Sequence, residues 1–365
     1  MADELKSALR RVCELQPRYT AENTPAMEER GRLIRGVIKD EILALSPILS
    51  SALGRFGEDF HVSASDGIGP KTELPWVRFC SKEMSPKPTE GFYCVLHFST
   101  SGEAFHITVG CGSSRFFNGY SVVLPDAELD KQSAWAREVI TETFGTVAPF
   151  DDARSFGATR RLPKSFERAT AVSQRIDVTA IDATDLTVAL QDAAVRLRLL
   201  YEAQSIGRDL NPADQAEIEL IELANPKRSG KRQGFGLPAA AKRAVELKAM
   251  ELSEAWLVTE GFSVRDRSAN QPFDFEATRD GATIKVEVKG TTSDRADAIL
   301  MTRNEVELHR AEQGATALLV VTKIRLSLVD GNYTASGGEL DCMLGWDIGQ
   351  WTAEPTAFRL TRPLP

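Results

Sequence analysis

The sequence has no long hydrophobic run and few of the residues that build metal sites. No stretch approaches the roughly eighteen consecutive apolar residues of a membrane span, and the first residues, MADELKSALRRVCELQ, form a charged amphipathic pattern rather than a signal peptide. The five cysteines lie far apart without a C-x-x-C pair, and the four histidines form no H-E-x-x-H pattern. We therefore expect a soluble, cytoplasmic protein with reduced thiols, no membrane partner and no structural zinc.

Basic residues are in the minority, so their distribution matters more than their number. A formal net charge of −8 excludes a chain that is basic throughout, but not a local surface for nucleic acid. Residues 1–150 and 241–365 are each net acidic, whereas positive charge concentrates at 154–175 and 227–243. These two cationic stretches are either solvated linkers or contacts to a nucleic-acid backbone. As DNA-binding candidates, the second stretch contributes Lys227, Arg228, Lys231 and Arg232.

The first part of the chain changes from helical to strand-like patterns. Apolar residues recur at helical spacing in 3–15 and 26–45, and from about residue 60 short aromatic and β-branched runs alternate with Gly, Ser and Pro. A further helical pattern covers 133–144. These patterns predict an α+β N-terminal domain over residues 1–150.

The middle of the chain reads as a helical connector. Residues 151–175 carry basic residues in a loop-like context, and a helix capped by Asp182 or Thr184 follows. The segment PKRSGKRQGFGLP combines Pro, Gly and Ser with four cations, a composition typical of a linker. We therefore predict a connector over 151–232 and a last domain over 233–365.

The last domain is predicted to mix helices and strands around one sheet. A helix over 239–261 ends at Gly261, and three strands follow within 262–290. A second helix contains RNEVELHRAEQG, and ALLVVTKIRLSLV forms one or two further strands. The order helix, three strands, helix, strand predicts an α/β domain with a mixed central sheet.

The strand segment FDFEATRDGATIKVEVKG carries acidic and basic residues in a pattern that suits phosphate chemistry. Strand alternation places Lys285, Glu287 and Lys289 on one face, and Asp274 and Glu276 share a face on the preceding strand. Paired carboxylates bind Mg²⁺, which neutralises phosphate and activates water, while a lysine stabilises developing charge. The alternative is an ordinary hairpin whose charged face lies in water.

These residues resemble a known group of enzymes. F-D-F followed by V-E-V-K-G resembles the PD-(D/E)XK nuclease superfamily, with the proline displaced by one position. More narrowly, A-V-E-L-K-A-M, F-D-F, V-E-V-K-G and T-R-N-E-V-E resemble a nuclease-like domain at the C-termini of bacterial defence proteins, over residues 233–325. The resemblance implies a restriction-endonuclease-like fold, with Asp274 and Glu287 as metal ligands, Lys289 as catalytic lysine and Glu246 as a further carboxylate.

The T-x-N-E segment of that resemblance contains Asn304 and Glu305. The residues themselves do not show a role in the chemistry. A helix-capping or structural role is at least as consistent with this pattern.

The N-terminal domain resembles the DNA-recognition domain of McrB-like proteins, which act on modified cytosine. The motifs L-P-W-V, G-F-Y and V-G-C-G carry this looser resemblance over residues 25–150. A protein that inspects a modified base can extrude it and hold it between aromatic rings, while cations meet the phosphates. The alternative is that the aromatic residues belong to the core. The candidates are Trp76, Phe79, Tyr93 and Phe98 for the base, and Lys71 and Arg78 for phosphates.

Together these features predict a modification-dependent restriction endonuclease that hydrolyses double-stranded DNA with Mg²⁺. The chain has no G-x-x-x-x-G-K-[ST] loop, so no nucleotide triphosphate motor is expected in it. One site cuts one strand, so double-strand cleavage needs a dimer or two proteins that meet on DNA, and we expect a homodimer. Two alternatives stay open, namely a non-catalytic DNA-binding defence protein with a nuclease-like fold, and an RNA-directed nuclease.

Overall fold

The computed structural model describes residues 2–117, 120–152, 154–209, 237–268, 271–329 and 332–354. It divides into two compact units, Met1–Glu202 and Ala203–Pro365, each of which is described by itself. Within the described ranges, no helix combines the length and apolar character needed to cross a lipid bilayer. The candidate DNA-binding residues Lys227, Arg228, Lys231 and Arg232 lie outside the described residues.

The first unit begins with helices at both predicted places. Helix α1 buries Leu5, Leu9 and Val12, which lie on one face because they are spaced by one and two turns. At the start of α2, the Thr24 hydroxyl accepts a hydrogen bond from the backbone N–H of Met27, as an N-cap does. A π-helical turn, Leu33–Ile38, links α2 to α3. The four helices are α1 (Ala2–Leu15), α2 (Pro25–Arg32), α3 (Lys39–Ala44) and α4 (Ser46–Leu53).

A five-stranded antiparallel sheet forms the centre of the first unit. Its order is β1-β2-β3-β4-β7, and β5 and β6 form a separate two-stranded sheet. Every residue of β4 is buried. Its strands are β1 (Phe60–Ser65), β2 (Trp76–Ser81), β3 (Phe92–Phe98), β4 (Ala104–Cys111), β5 (Ser114–Phe117), β6 (Tyr120–Val123) and β7 (Thr170–Asp177). The later helices are α5 (Asp126–Phe144), α6 (Arg161–Ala169) and α7 (Leu186–Ser205).

Two details of the predicted connector are wrong. The basic stretch 151–175 is not loop-like, because it contains α6 and most of β7, whose Ile176 pairs with Phe105 of β4. Burial of the strand against β4 outweighs the local abundance of basic residues. Helix α7 is capped by Asp185, whose Oδ1 accepts hydrogen bonds from the backbone N–H groups two and three residues further on, and not by Asp182 or Thr184.

The second unit has the predicted mixed sheet. Its order is β12-β11-β10-β9-β8, in which β10 and β11 are parallel and the other neighbours are antiparallel. The α+β content of the first unit and the mixed α/β architecture of the second confirm the predicted fold class. The elements are α8 (Ala239–Thr259), β8 (Ser263–Asp266), β9 (Phe275–Arg279), β10 (Ala282–Gly290), α9 (Arg303–Ala311), β11 (Thr316–Val329) and β12 (Asn332–Leu344).

Helix α8 packs directly on the central strands of this sheet. Val245 and Ala249 join the buried cluster formed by Val286, Leu319 and their neighbours. At the end of β10, a Cβ added to Gly290 would lie 2.6 Å from the Cβ of Ala249, so only glycine permits this approach. The close packing holds the first half of α8 beside the polar end of β10.

Candidate functional site

The polar ends of β9 and β10 meet α8 and α9 around a cavity of about 380 Å³. We call this space the acidic cavity. The structure brings all four sequence-predicted catalytic residues to its wall, together with one acidic residue whose role the sequence left open. They are Glu246, Asp274, Glu287, Lys289 and Glu305.

Asp274 is fixed by the backbone of the neighbouring strand. It lies one residue before β9, and its backbone N–H donates to the carbonyl of Val286 at 2.9 Å. Its side-chain Oδ2 accepts a hydrogen bond from the N–H of Val288 at 2.8 Å. Burial raises the pKa of Asp274, and the Val288 N–H partly opposes this rise. The carboxylate is therefore positioned before any ligand arrives.

Glu287 and Lys289 meet because residues two apart on a strand share a face. Lys289 Nζ lies 2.6 Å from Glu287 Oε1 and 3.0 Å from Glu305 Oε2. Burial raises the pKa of Glu287 to about 8, Lys289 opposes the rise, and the carboxylates of Asp274 and Glu305 add to it. Burial alone would lower the pKa of Lys289, but Glu287 and Glu305 outweigh it and raise that pKa. The lysine therefore stays protonated in the site.

The acidic cavity has more acidic groups than basic ones. Its wall holds four carboxyl groups and two amines, and of the amines Lys289 forms ion pairs with Glu287 and Glu305. Among the described residues, no group of three or more His, Cys, Asp or Glu is placed to hold a metal ion. Mg²⁺ needs fewer protein ligands than that, because it is commonly held by one or two carboxylates and keeps several waters. Asp274 and Glu287 are hard oxygen donors with raised pKa values, a donor set that fits such an ion.

Glu246 lies at the rim of the acidic cavity. Its side chain is 61% exposed, and its Oε1 accepts from Arg243 at 2.9 Å, one turn earlier on α8. An exposed i,i+3 ion pair of this kind contributes little to stability. Glu246 is therefore free to exchange partners at the cavity mouth.

Glu305 links the cavity to the start of α9. The N–H of Glu305 donates to the Thr302 hydroxyl at 3.3 Å, and Glu305 Oε2 accepts from the N–H of Thr302 at 3.0 Å. These two bonds form a capping box, the structural role that the sequence pattern allowed. The same Oε2 also accepts from Lys289, whereas Asn304 is exposed. The [ST]-x-x-E pattern signalled the cap, but only the structure connects it to Lys289.

In the first unit, both cations predicted to contact phosphates are buried. Lys71 is 8% exposed and donates to Asp66 Oδ2 at 2.6 Å. Arg78 is 1% exposed and donates to the hydroxyls of Ser63 and Ser85 at 2.8 Å each. Since each group already has buried polar partners, contact with a phosphate would require these bonds to break.

The predicted aromatic side chains differ in their access to solvent. Phe79 and Phe98 are fully buried in the core, and the Tyr93 hydroxyl donates to backbone carbonyls while its ring lies under Arg78. Trp76, at the start of β2, is half-buried. The structure therefore does not bring the four rings together around one open pocket.

Comparison with protein-family models gives one match for each part of the chain. Residues 14–193 match the family described as MrcB-like, N-terminal domain, in agreement with the McrB-like resemblance of the sequence. Residues 245–327, which include the acidic cavity's strands and α9, match the family described as Protein NO VEIN, C-terminal. No curated protein and no solved structure gives a significant match. The first part of the chain is thus similar to MrcB-like N-terminal domains, and the second part to NO VEIN C-terminal domains.

Proposed function

We propose that the chain is a Mg²⁺-dependent endodeoxyribonuclease which its N-terminal domain directs to DNA carrying modified cytosine. The observation that carries the proposal is the gathering of Asp274, Glu287 and Lys289 around one acidic cavity, whose excess of carboxyl groups a divalent ion would balance. The MrcB-like match supports DNA recognition, and the NO VEIN match supports a nuclease-like role for the second unit.

Phosphodiester hydrolysis forms a bond from a water oxygen to phosphorus and breaks the bond from phosphorus to a sugar oxygen. The attacking water loses a proton, and the leaving oxygen gains one. Bound Mg²⁺ would neutralise the phosphate and make a coordinated water more acidic. Asp274 and Glu287 would hold it, because the half-buried carboxyl group of Asp274 and the buried one of Glu287 both line the acidic cavity.

Lys289 supplies a fixed positive charge beside the carboxylates. Because Glu287 and Glu305 raise its pKa, the amine stays an ammonium at neutral pH and can donate hydrogen bonds to a phosphate oxygen. Two ion pairs restrict its position before substrate arrives. Charge stabilisation by such a preorganised donor is worth roughly 10²–10³ in rate.

Digestion of matched plasmids tests the proposal. Unmodified, 5-methylcytosine and 5-hydroxymethylcytosine plasmids are each incubated with Mg²⁺ or with a chelator, beside an RNA of the same sequence. Modified DNA should be nicked or cut in Mg²⁺ and left intact in chelator. Absence of metal-dependent cutting would support a binding-only protein, and preferential loss of the RNA would support an RNA-directed nuclease. Either result would overturn the proposal.

Replacing Glu305 by glutamine should slow cleavage without abolishing it. Glutamine keeps an oxygen for the Thr302 N–H, so α9 retains its cap, but Lys289 loses one of its two ion pairs. Changes of this kind around a metal site cost about 10–100-fold in activity. Single-turnover nicking across a pH series is the measurement, with Glu307→Gln on the exposed face of α9 as control. Wild-type rates and an unchanged pH profile for Glu305→Gln would contradict a positioning role.

A further inference from the structure

The first unit has a second concave surface, separate from the predicted aromatic residues. It is a groove of about 1000 Å³ between the residues that follow β6, the first turns of α5, the segment before α6, and α6 itself. We call it the basic groove. Its volume lies at the upper end of the range for ligand sites, so a segment of a polymer would fit better than a small molecule.

One face of α6 gives the groove its positive charge. Arg161, Lys164 and Arg168 are spaced by three and four residues, so they project from the same side of the helix. Arg154 reaches the groove from the preceding segment. Arg161 and Lys164 are exposed, and neither has an ion-pair partner within the described chain.

The acidic residues of the groove already have partners. Asp126 and Asp130 both accept from Arg168, at 3.2 and 2.9 Å. Glu167 Oε1 accepts from the backbone N–H groups of Phe156 and Ala158, at 2.6 and 3.0 Å. Four cations and three carboxylates line the groove, so its net charge is +1. The carboxylates contact Arg168 and backbone donors, and among the described residues no ion pair joins them to Arg154, Arg161 or Lys164.

Arg154 keeps its charge available because its hydrogen-bond partners are neutral. Its Nη1 donates to the Ser133 hydroxyl at 3.2 Å and to the Arg168 carbonyl at 3.4 Å. These contacts fix the guanidinium without a counter-ion. A held but uncompensated guanidinium is suited to a phosphate, with which it can form two parallel hydrogen bonds.

A buried carboxylate fixes the wall of the groove. Glu73 is 5% exposed and accepts from the backbone N–H groups of Thr159 and Arg160, just before α6 begins. Backbone N–H groups at the start of the helix thus already donate to an anion of the protein itself. Any further anion in the groove must be recognised by side chains, and these are carried on an anchored helix.

We propose that the basic groove binds the phosphodiester backbone of duplex DNA through Arg154, Arg161 and Lys164. The proposal rests on the proposed function, since it names the surface with which the N-terminal domain holds DNA. Each cation that displaces a condensed counter-ion adds to affinity and to its salt dependence. Backbone contacts carry no sequence information, so this surface orients the duplex and a separate contact reads the modified base.

Charge reversal on the exposed side of α6 tests the proposal. The full chain carrying Arg161→Glu and Lys164→Glu is titrated with labelled duplex in chelator, so that no cleavage occurs, at several salt concentrations. We expect affinity to fall by more than about tenfold and the slope of log K against log salt to drop by about two. The control, Arg32→Glu with Lys82→Glu, makes the same change in net charge at exposed positions outside the groove.

The outcomes separate this proposal from the proposed function. An equal loss of affinity in the control, or an unchanged salt slope in the α6 variant, would overturn the proposal that the groove binds DNA. Neither result would bear on the proposed cleavage. A wild-type chain that binds no DNA in the same titration would overturn both. A selective loss of affinity and slope, with an unchanged melting temperature, supports the groove.

Discussion

If the proposed function holds, Asp274→Asn is expected to lower the rate of DNA cleavage by about 10³-fold or more, because it removes one of the two carboxylates that would hold the divalent ion. The substitution keeps the size of the side chain, and asparagine Oδ1 can still accept the hydrogen bond from the Val288 N–H. The fold and the affinity for DNA should therefore be preserved. Single-turnover cleavage of a modified plasmid, together with a binding titration in chelator, measures the two effects separately.

The control for this variant lies two residues further along the chain, in β9. Glu276 is paired with Arg267 and does not line the acidic cavity, so Glu276→Gln makes the same charge change without touching the site. It should cleave at the wild-type rate. Comparable losses in both variants would point to a general electrostatic effect of the second unit, and wild-type cleavage by Asp274→Asn would remove this carboxylate from the mechanism.

Glu287→Gln should abolish cleavage and at the same time stabilise the metal-free protein. The side chain of Glu287 is 4% exposed, and burial raises its pKa from 4.5 to about 8. A neutral amide of the same shape avoids the cost of burying the ionised carboxylate next to Asp274 and Glu305. The site is thus expected to sacrifice stability for function, as metal-binding sites in apo proteins do.

The gain in stability should depend on pH in a defined direction. Since the folded pKa of Glu287 lies above the unfolded value, the wild-type stabilisation from this proton is complete below about 4.5 and is lost as pH rises towards about 8. The advantage of Glu287→Gln should grow across that window and reach a few kcal/mol, an order-of-magnitude figure, at its upper end. Denaturant unfolding in chelator from about pH 5 to about pH 8 measures it.

Two results of that experiment would count against this explanation. A stability difference that stays constant with pH would mean that Glu287 titrates normally in the folded state. A destabilised variant would mean that the ion pair with Lys289 outweighs burial. The control Glu276→Gln removes a more exposed carboxylate away from the cavity, so it should not reproduce the gain of Glu287→Gln.

The elements around the site were predictable because their signals are local. The alternation in β10, the left-handed Asp280-Gly281 turn before it and the glycine after α8 each specify an element within a few residues. Strand β12 was not predicted. Its sequence contains Gly337 and Gly338 and few β-branched residues, and it depends on pairing along nearly all of β11. Such long-range pairing overrides weak local propensity.

The acidic cavity and the predicted DNA-binding residues of the first unit differ in how far the sequence could predict them, for a related reason. Strand alternation alone puts Glu287 and Lys289 on one face, so their meeting could be inferred from spacing. The burial of Lys71 and Arg78 could not be inferred from the sequence, because cations in or near strands are usually exposed. The hydrogen-bond partners of these two side chains also include residues distant in sequence. The basic face of α6 had a helical signal at three- and four-residue spacing, but its context of Pro, Gly and Ser resembled a loop.

The shared carboxylate of Glu305 has a consequence for thermal behaviour. One oxygen both closes the first turn of α9 and anchors the Lys289 ammonium, so fraying of this nine-residue helix would release the lysine. Helix ends open at a far lower free-energy cost than the core. Heat should therefore abolish the proposed cleavage by melting one surface turn, at temperatures where the rest of the second unit is still folded.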